Sequence, residues 1–465
     1  MNRAELRALS KEELIELVLE LYAMNEKLRE ENAQLRERVA KLEKQLKRPA
    51  KTPKNSSVPP SAGRKASRRR SSKQRKRGAQ KGHKGTSRRR SEPDVTVECQ
   101  VETCPDCGAD LASVDQDLLG STQVVEIPPV EPVVVEAHRY GCRCPQCGAS
   151  VEANYPPGME SERVFGRRIE ALVTYLHEVH HLSYVRLQRV MQVISGLIIS
   201  VGALVNIVGR TAKRLEPAAE AIRDEIRGEE VVGSDETGAR VNGQNWWQWT
   251  FVTDRSTYHV IASSRGSGVI RRVMGEAMPL AWVSDLWSAQ LKAPGHHYQI
   301  CHAHQLRDLQ YAIDAERSAW AYRMQQLLLR SQRLSKRREQ LPAVIYRQAV
   351  AQLEDDCDAL LSERVETPEA QRLLKRYQKH RQALFVFLHH PNVPCDNNAA
   401  ERALRNSVIH RKVTGGFRSE TGAEAHAIVS SVVDTARKRD HDVLEVLQGL
   451  IGPPAPTQPA HGFAS

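Results

Sequence analysis

The chain has 465 residues, a net charge of +12, 40% apolar residues and nine cysteines. This apolar fraction is sufficient for the cores of about two to four domains. No apolar run is long enough to cross a membrane, which excludes a membrane-spanning protein. The N-terminus is charged and helical rather than typical of a signal peptide, so we expect a cytoplasmic protein.

Leucine recurs at every seventh position near the N-terminus. Ser10 and Glu13 form a capping box that begins a helix. Leucines occupy the heptad d positions and mostly valine or asparagine the a positions: Leu14, Leu21, Leu28, Leu35 and Leu42 at d, with Val18, Asn25, Asn32, Val39 and Leu46 at a. This pattern favours a parallel dimer in which asparagine sets the register. We predict a coiled-coil dimerisation helix over residues 1–48; the alternative is an amphipathic helix that packs on its own chain.

The positive charge is concentrated in one segment. Lys47 to Arg90 contains 18 Lys plus Arg and no acidic residue, so the remainder of the chain is net negative. Residues 49–94 lack hydrophobic periodicity and are predicted to form a disordered arm. Because basic residues that neutralise phosphates release counterions, we expect this arm to bind DNA. Its foremost candidates form two basic runs: Arg68, Arg69, Arg70, Lys76 and Arg77. The alternative is a solvated tail.

Six cysteines lie between Cys99 and Cys147, and four of them form two CPxCG knuckles. The knuckle cysteines are Cys104, Cys107, Cys144 and Cys147. Two CxxC pairs separated by a β-rich spacer can hold Zn²⁺ tetrahedrally, which leaves no open position for catalysis. We therefore predict a structural, zinc-ribbon-like module over residues 95–155. The alternating segments STQVVEIP and EPVVVEAHRY predict strands within it.

Residues 160–225 are predicted to be helical, with a turn at Ser195 and Gly196. Two helices joined by a glycine turn are typical of a DNA-binding helix-turn-helix, although such pairs also occur as simple packing. His177 to His181 matches the zincin motif HExxH. No third metal ligand is evident downstream, so we favour a polar stretch of helix.

From Glu229 the pattern becomes β-β-β-α-β, followed by a long helical stretch. This order matches an RNase H-like core, in which carboxylates lie on the first strand, beside the fourth strand and on a later helix. Asp235, Asp285 and Glu401 occupy those positions, and carboxylates from three elements are what two divalent cations need. We predict the core over residues 226–312 and 391–440. A helical insertion is predicted over 313–390, and a C-terminal helix with a proline-rich tail over 441–465.

Each carboxylate also has another interpretation. Asp235 can be a turn residue, with Glu236 as the ligand in its place. Asp285 can cap the end of its strand. Glu401 can pair with Arg405 one helical turn further along. A metal-ligand role is better supported for the three residues jointly than for any one alone, because they occur in the expected order of elements.

The motifs GSDETGARV, WVSDLWSAQ, CHAHQLRDL and DNNAAERALR resemble those of the insertion-sequence 66 family of bacterial transposases. The resemblance extends to KNSSVPPS and GAQKGHKG in the arm, to the paired CPxCG module and to HRKVTGGFRSETGAEAHA. It implies a DDE transposase with a helical insertion between the second and third acidic residues. It also implies that Asp235, Asp285 and Glu401 are the catalytic triad. Leu286 and Trp287 stand where family members often have Gly-Tyr.

We therefore expect a multidomain α+β transposase that uses Mg²⁺ (or Mn²⁺) to cleave transposon ends and join them to target DNA. The expected partners are double-stranded DNA, a homodimer or higher synaptic assembly, and small accessory proteins of the same element. Arg402, Arg405 and Arg411 are expected to neutralise phosphates. His302 and His304 can line the site, but a structural role at a helix start is favoured. The rivals are a metal-dependent nuclease without strand transfer and a non-catalytic zinc-containing DNA-binding protein.

Overall fold

The computed structural model describes residues 10–46, 51, 88–159 and 164–456. The five foremost arm candidates, Arg68, Arg69, Arg70, Lys76 and Arg77, lie outside these described residues. Within the described ranges, no helix combines the length and apolar character needed to cross a membrane.

Helix α1 (Lys11–Leu46) is continuous over 36 residues. Its capping box is confirmed: the Ser10 backbone N–H donates to Glu13 Oε2 at 2.7 Å, and the Glu13 N–H donates to Ser10 Oγ at 3.3 Å. The heptad leucines Leu21, Leu28 and Leu35 are all more than half exposed. The apolar stripe therefore remains uncovered by the described part of its own chain.

The cysteine-rich region contains two similar hairpins. A bridge between Thr103 and Asp110 encloses the first CPxCG knuckle. Strands β1 (Gly141–Arg143) and β2 (Ser150–Glu152) pair antiparallel around the second. The strands predicted for the spacer are wrong, because residues 121–140 form none. Prolines at 128, 129 and 132 remove backbone donors that a sheet ladder needs.

A helical segment precedes the large sheet. It comprises α2 (Arg167–Thr174), one π-helical turn (Tyr175–Val179), α3 (Tyr184–Ser195) and α4 (Val201–Arg227). Gly196 ends α3 with a φ of 68°, a left-handed conformation that favours glycine. Buried side chains from α2, α3 and α4, including Val173, Leu187 and Leu204, form a separate small core. The predicted helix pair with its glycine turn is confirmed.

Five strands form a mixed sheet in the order β5-β4-β3-β6-β7. Their bounds are β3 (Val231–Val241), β4 (Gln244–Val252), β5 (Thr257–Ala262), β6 (Ala281–Ser284) and β7 (His297–Ile300). Strands β3, β4 and β5 pair antiparallel, whereas β6 is parallel to both β3 and β7. Helix α5 (Ser267–Met274) makes the crossover from β5 to β6.

Helices cover both faces of this sheet. The bounds after β7 are α6 (His302–Glu316), α7 (Ala319–Lys336), α8 (Ala343–Leu361), α9 (Pro368–Lys379), α10 (Val386–His389), α11 (Asn398–Thr414), α12 (Glu420–Lys438) and α13 (Val443–Ile451). One core joins β6 and β7 to α6–α10 and includes Val283, Ile300 and Trp320. A second core packs Trp249 and Val429 between the sheet, α4 and α12. The fold is thus mixed α/β, and a mainly helical stretch from α6 to α10 separates β7 from α11.

Candidate active site

The sheet register places Asp235 beside Asp285. Strands β3 and β6 run parallel, and their last paired residues are Gly233 and Val283. Asp235 follows two residues later within β3, and Asp285 is the first residue after the end of β6, the neighbouring strand about 4.8 Å away. Because side chains alternate along a strand, residues two positions beyond a matched pair point to the same face. The two carboxylates therefore lie side by side at the C-terminal end of β6.

Asn397 attaches the start of α11 to β3 and to the residue that follows β7. Its side-chain Nδ2 donates to the Ser234 carbonyl at 2.7 Å, and its backbone N–H donates to Cys301 Sγ at 3.2 Å. A Cβ added at Gly233 would lie 3.1 Å from Asn397 Oδ1, so glycine permits this close approach. The Glu401 N–H in turn donates to the Asn397 carbonyl at 3.1 Å. These contacts hold the first turn of α11, and with it Glu401, beside the first half of β3 and the end of β7.

Glu401 faces side chains from the start of α6. His304 Nδ1 lies 3.5 Å from Glu401 Oε1, and Arg307 Nη2 lies 3.4 Å from the same oxygen. Cys301, His304 and Glu401 place one potential ligand atom each within 4.8 Å of one another. Burial and the neighbouring Arg307 charge lower the pKa of His304. His304 thus lies in the first turn of α6, as favoured from the sequence, and also contacts Glu401.

His302, in contrast, has the structural role. Its side chain is fully buried, and its Nε2 lies 2.8 Å from the Leu384 carbonyl, which can only accept a hydrogen bond. Burial lowers the pKa of His302 to about 4, so the ring is neutral at pH 7.

The carboxylates repel one another. Burial, followed by the charges of Glu236, Asp285 and Glu401, raises the pKa of Asp235 well above its usual range. Among the described residues, neither Asp235 nor Asp285 has a basic partner within 4.0 Å. Backbone N–H groups bind both: Glu236 donates to Asp235 Oδ1 and Trp287 to Asp285 Oδ1, each at 2.9 Å. Hard oxygen donors with uncompensated negative charge fit divalent cations such as Mg²⁺.

Glu236 lies on the opposite face of β3 because it is the neighbour of Asp235 in a strand. Arg265 Nη2 contacts Glu236 Oε1 at 2.9 Å, and Gln290 donates to Oε2 at 2.8 Å. The Arg265 guanidinium also stacks on Trp287 and Trp247, at 3.8 and 4.5 Å from the ring centroids. The structure thus separates Glu236 from the face that carries Asp235.

The arginines of α11 have two different environments. Arg402 and Arg405 are exposed, and no ion pair between Glu401 and Arg405 occurs among the described residues. The Arg411 guanidinium donates to the Gly238 carbonyl and holds α11 on β3. Arg411 is therefore a positioning residue in this structure rather than an available phosphate ligand.

The two cysteine knuckles have the same backbone geometry. Gly108 and Gly148 have φ values of 73° and 74°, and their N–H groups donate to the carbonyls of Cys104 and Cys144 at 2.9 Å. Backbone N–H groups that follow each first cysteine lower the pKa values of the Cys104 and Cys144 thiols. Such donors favour the thiolates that bind zinc. The described residues do not, however, bring the four thiols together within 4.8 Å.

Comparisons with protein families decide the assignment. Residues 162–425, more than half of the chain, match the model of the Transposase IS66 family. The chain belongs to this family of transposases. Residues 102–148 of this transposase match the zinc-finger binding domain of transposase IS66, and residues 2–89 match a family of unknown function. No curated protein matches the chain.

The family assignment confirms the resemblance that we inferred from the motifs, and it gives the protein a transposase role with DNA as its partner. The zinc-finger match supports a structural zinc ion in the cysteine-rich region of the transposase. Sequence reasoning did not identify Asn397 as a positioning residue or Arg307 as a partner of Glu401. The only signals were their places in the DNNAAERALR and CHAHQLRDL motifs.

Proposed function

We propose that this transposase cleaves DNA at the ends of its element and joins the freed 3′ ends to target DNA, with Asp235, Asp285 and Glu401 as its catalytic carboxylates. The observation that carries the proposal is the parallel register that sets Asp235 beside Asp285. The contacts of Asn397 that bring the first turn of α11 to the same strand end support it further.

We infer an RNase H-like core of the DDE type from the same arrangement. Three antiparallel strands, a crossover helix and two further parallel strands in the order β5-β4-β3-β6-β7 support this inference. The carboxylates arise from the central strand, from the end of its parallel neighbour and from a later helix. The division of the chain into the domains predicted above remains part of the proposal.

Asp235, Asp285 and Glu401 would hold two Mg²⁺ or Mn²⁺ ions, which activate a nucleophile and stabilise the leaving oxygen in phosphoryl transfer. Backbone donors restrict the Asp235 and Asp285 side chains, so both carboxylates are oriented before DNA binds. Arg307 and His304 restrict Glu401 in the same way. The exposed Arg402 and Arg405 on α11 would contact DNA phosphates near these carboxylates.

The remaining parts would bind and pair DNA ends. The zinc module and the helix pair α3–α4 would grip end sequences, while the basic arm would add salt-dependent affinity. The exposed leucine stripe of α1 supports pairing of two copies as a parallel coiled coil. Action on bacterial DNA would place the protein in the cytoplasm, associated with the nucleoid, and accessory proteins of the element would join the assembly.

The test is an assay with purified protein, a labelled transposon end, target DNA and Mg²⁺. We expect nicking at the end and joined products, and we expect Asp235→Asn to lose both while DNA binding remains. Glu236→Gln is the matched control, because it removes the adjacent carboxylate on the opposite face of β3. Nicking without any joining would favour a nuclease. DNA binding with neither reaction would favour a non-catalytic DNA-binding protein.

A further inference from the structure

A second group of titratable side chains lies away from the carboxylates, in a buried position between the helical segment and the core. We call Glu178, His410 and His426 the imidazole cluster. Each offers a ligand atom within 4.8 Å of the others, and all three side chains are buried. Glu178 comes from the π-helical turn, His410 from α11 and His426 from α12. The cluster therefore joins three elements that are distant in sequence.

The HExxH motif has an unexpected geometry here. A zincin would use His177 and His181 from one α-helical face, but the helix changes to a π turn at Tyr175–Val179. His181 follows with a φ of 57°, a left-handed conformation that is uncommon for residues other than glycine. The glutamate of the motif, rather than its two histidines, therefore enters the cluster. Single π turns of this kind are frequent at functional sites.

Glu178 is a buried carboxylate without a strong cation. Its ion-pair partners in the described part of the chain are His426, whose Nδ1 lies 2.5 Å from Oε2, and His177, whose Nε2 lies 3.9 Å from Oε1. An ionised carboxylate in such a place needs a compensating charge, since its desolvation is costly.

Two neighbouring rings, those of His177 and His181, have a nitrogen that donates no hydrogen bond. His426 instead donates from Nδ1 to Glu178 Oε2, and a bound ion would displace that proton. His177 Nδ1 lies 2.8 Å from the Leu182 carbonyl and must donate to it, so a neutral ring has a lone pair on the Nε2 that faces Glu178. His181 Nε2 contacts Asn406 Oδ1 at 3.0 Å, and its buried Nδ1 has no partner among the described residues. His410 is buried and stacks on His426 and Phe417, with ring centroids 4.5 and 4.8 Å apart. Neutral imidazoles and an ionised carboxylate are the forms that bind a transition metal.

We propose that Glu178, His410 and His426 bind a structural Zn²⁺ ion, with His181 next to them as the source of a fourth ligand. A donor set of two imidazoles and one carboxylate is one that zinc accepts. The cluster is buried, so the ion would hold elements together rather than act on a substrate. It would connect the helical segment to α12 and to α11, the helix that also carries Glu401. This site is separate from the cysteine knuckles and does not depend on the proposed catalytic triad.

The experiment counts zinc in the purified full-length chain by elemental analysis after extensive dialysis, with no DNA present. We expect about two zinc ions per chain, one at the knuckles and one at the cluster. Glu178→Gln and His426→Gln should each contain about one. The double change Cys144→Ser and Cys147→Ser should also contain about one, because only the cluster ion remains. His177→Gln is the matched control, because its ring is adjacent but not a proposed ligand, and it should retain about two.

Cobalt substitution keeps the proposal testable if a cluster variant fails to fold. In the variant without Cys144 and Cys147, bound Co²⁺ should show d–d absorption without the intense thiolate charge-transfer band. The proposal is overturned if the unaltered chain contains about one zinc that is lost with Cys144 and Cys147 and unaffected by Glu178→Gln. It is also overturned if the cysteine variant binds no Co²⁺. The cluster would then be a hydrogen-bonded network.

Discussion

Helix α11 takes part in two clusters of opposite character. In its first turn lies Glu401, which we propose as the third catalytic carboxylate with Asp235 and Asp285, and 27% of its side chain is exposed. Nine residues later, His410 joins Glu178 and His426, and only 5% of the Glu178 side chain is exposed. The first cluster offers oxygen donors where the central strand β3 runs beside the end of β6, which suits cations that exchange and meet a substrate. The second offers nitrogen donors in a closed space, which suits an ion that stabilises the fold.

The largest effect is expected from a substitution that disrupts the carboxylate cluster. Asp235→Asn should lower the rate of end cleavage about a thousandfold or more. When catalytic residues act as a unit, removing one of them costs nearly as much rate as removing all of them. The double change Asp235→Asn and Glu401→Gln should be little worse than the single one. Single-turnover nicking of a labelled DNA end measures this. If the two losses multiply, the carboxylates act independently.

A smaller effect is expected from the pair of Arg265 and Glu236 behind this cluster. Arg265→Ala would leave the Glu236 carboxylate, whose side chain is 1% exposed, without its guanidinium partner. We expect a loss of about 3 kcal/mol in the free energy of unfolding, measured with urea. Arg271→Ala removes an exposed arginine from α5 and should change stability by less than about 0.5 kcal/mol. Equal effects of both changes would show that the pair has no special role.

His302 should make the stability of the core depend on pH. Its folded-state pKa of about 4 lies below the value of about 6.5 for an unfolded histidine. The unfolded chain therefore binds more protons between these values, and stability falls as the pH drops from about 6.5 towards 4. Between pH 7 and pH 5 we expect this one group to contribute a loss of about 2 kcal/mol. In urea unfolding at both pH values, His302→Gln should show a correspondingly smaller loss than the unaltered chain.

The smallest effect is expected from Ser419, which caps the helix that carries His426 of the imidazole cluster. Ser419 caps α12, the helix of His426, by accepting the Gly422 N–H at 3.0 Å. Ser419→Ala should lower the free energy of unfolding by about 1 kcal/mol, whereas Ser419→Gly should lower it by only a few tenths. Thermal unfolding compares the two variants. Neither change should alter zinc content or cleavage, because the cap touches no proposed ligand.

The sequence predicted the elements whose signals are local. The capping box at Ser10, the helix that carries the heptads, the strand that contains Asp235 and the strand that ends before Asp285 all rest on short-range patterns, and the structure contains these elements. The placement of Glu401 was harder to predict, because it depends on contacts between Asn397 and residues more than 90 positions away. The order of the elements pointed to Glu401, and the resemblance to known transposases implied the same position.

Predictions from local sequence patterns were incomplete or wrong where tertiary contacts determine the structure. His177 to His181 was predicted to be a polar stretch of helix, but packing against α11 and α12 buries Glu178 through a π turn. His304 looked like a helix-start residue, but the fold brings Glu401 to it. Alternating apolar residues between 121 and 140 predicted strands, although prolines interrupt that segment.

The central claim is that these carboxylates bind the catalytic cations. The metal specificity of cleavage tests it most directly. Asp285→Cys replaces a hard oxygen ligand with a softer sulfur, which Mg²⁺ binds poorly and Mn²⁺ tolerates better. We predict that the unaltered transposase cleaves labelled DNA ends with either ion, and that Asp285→Cys cleaves only with Mn²⁺. Cleavage by Asp285→Cys at the unaltered rate in Mg²⁺ would contradict a ligand role for Asp285 and with it the proposed site.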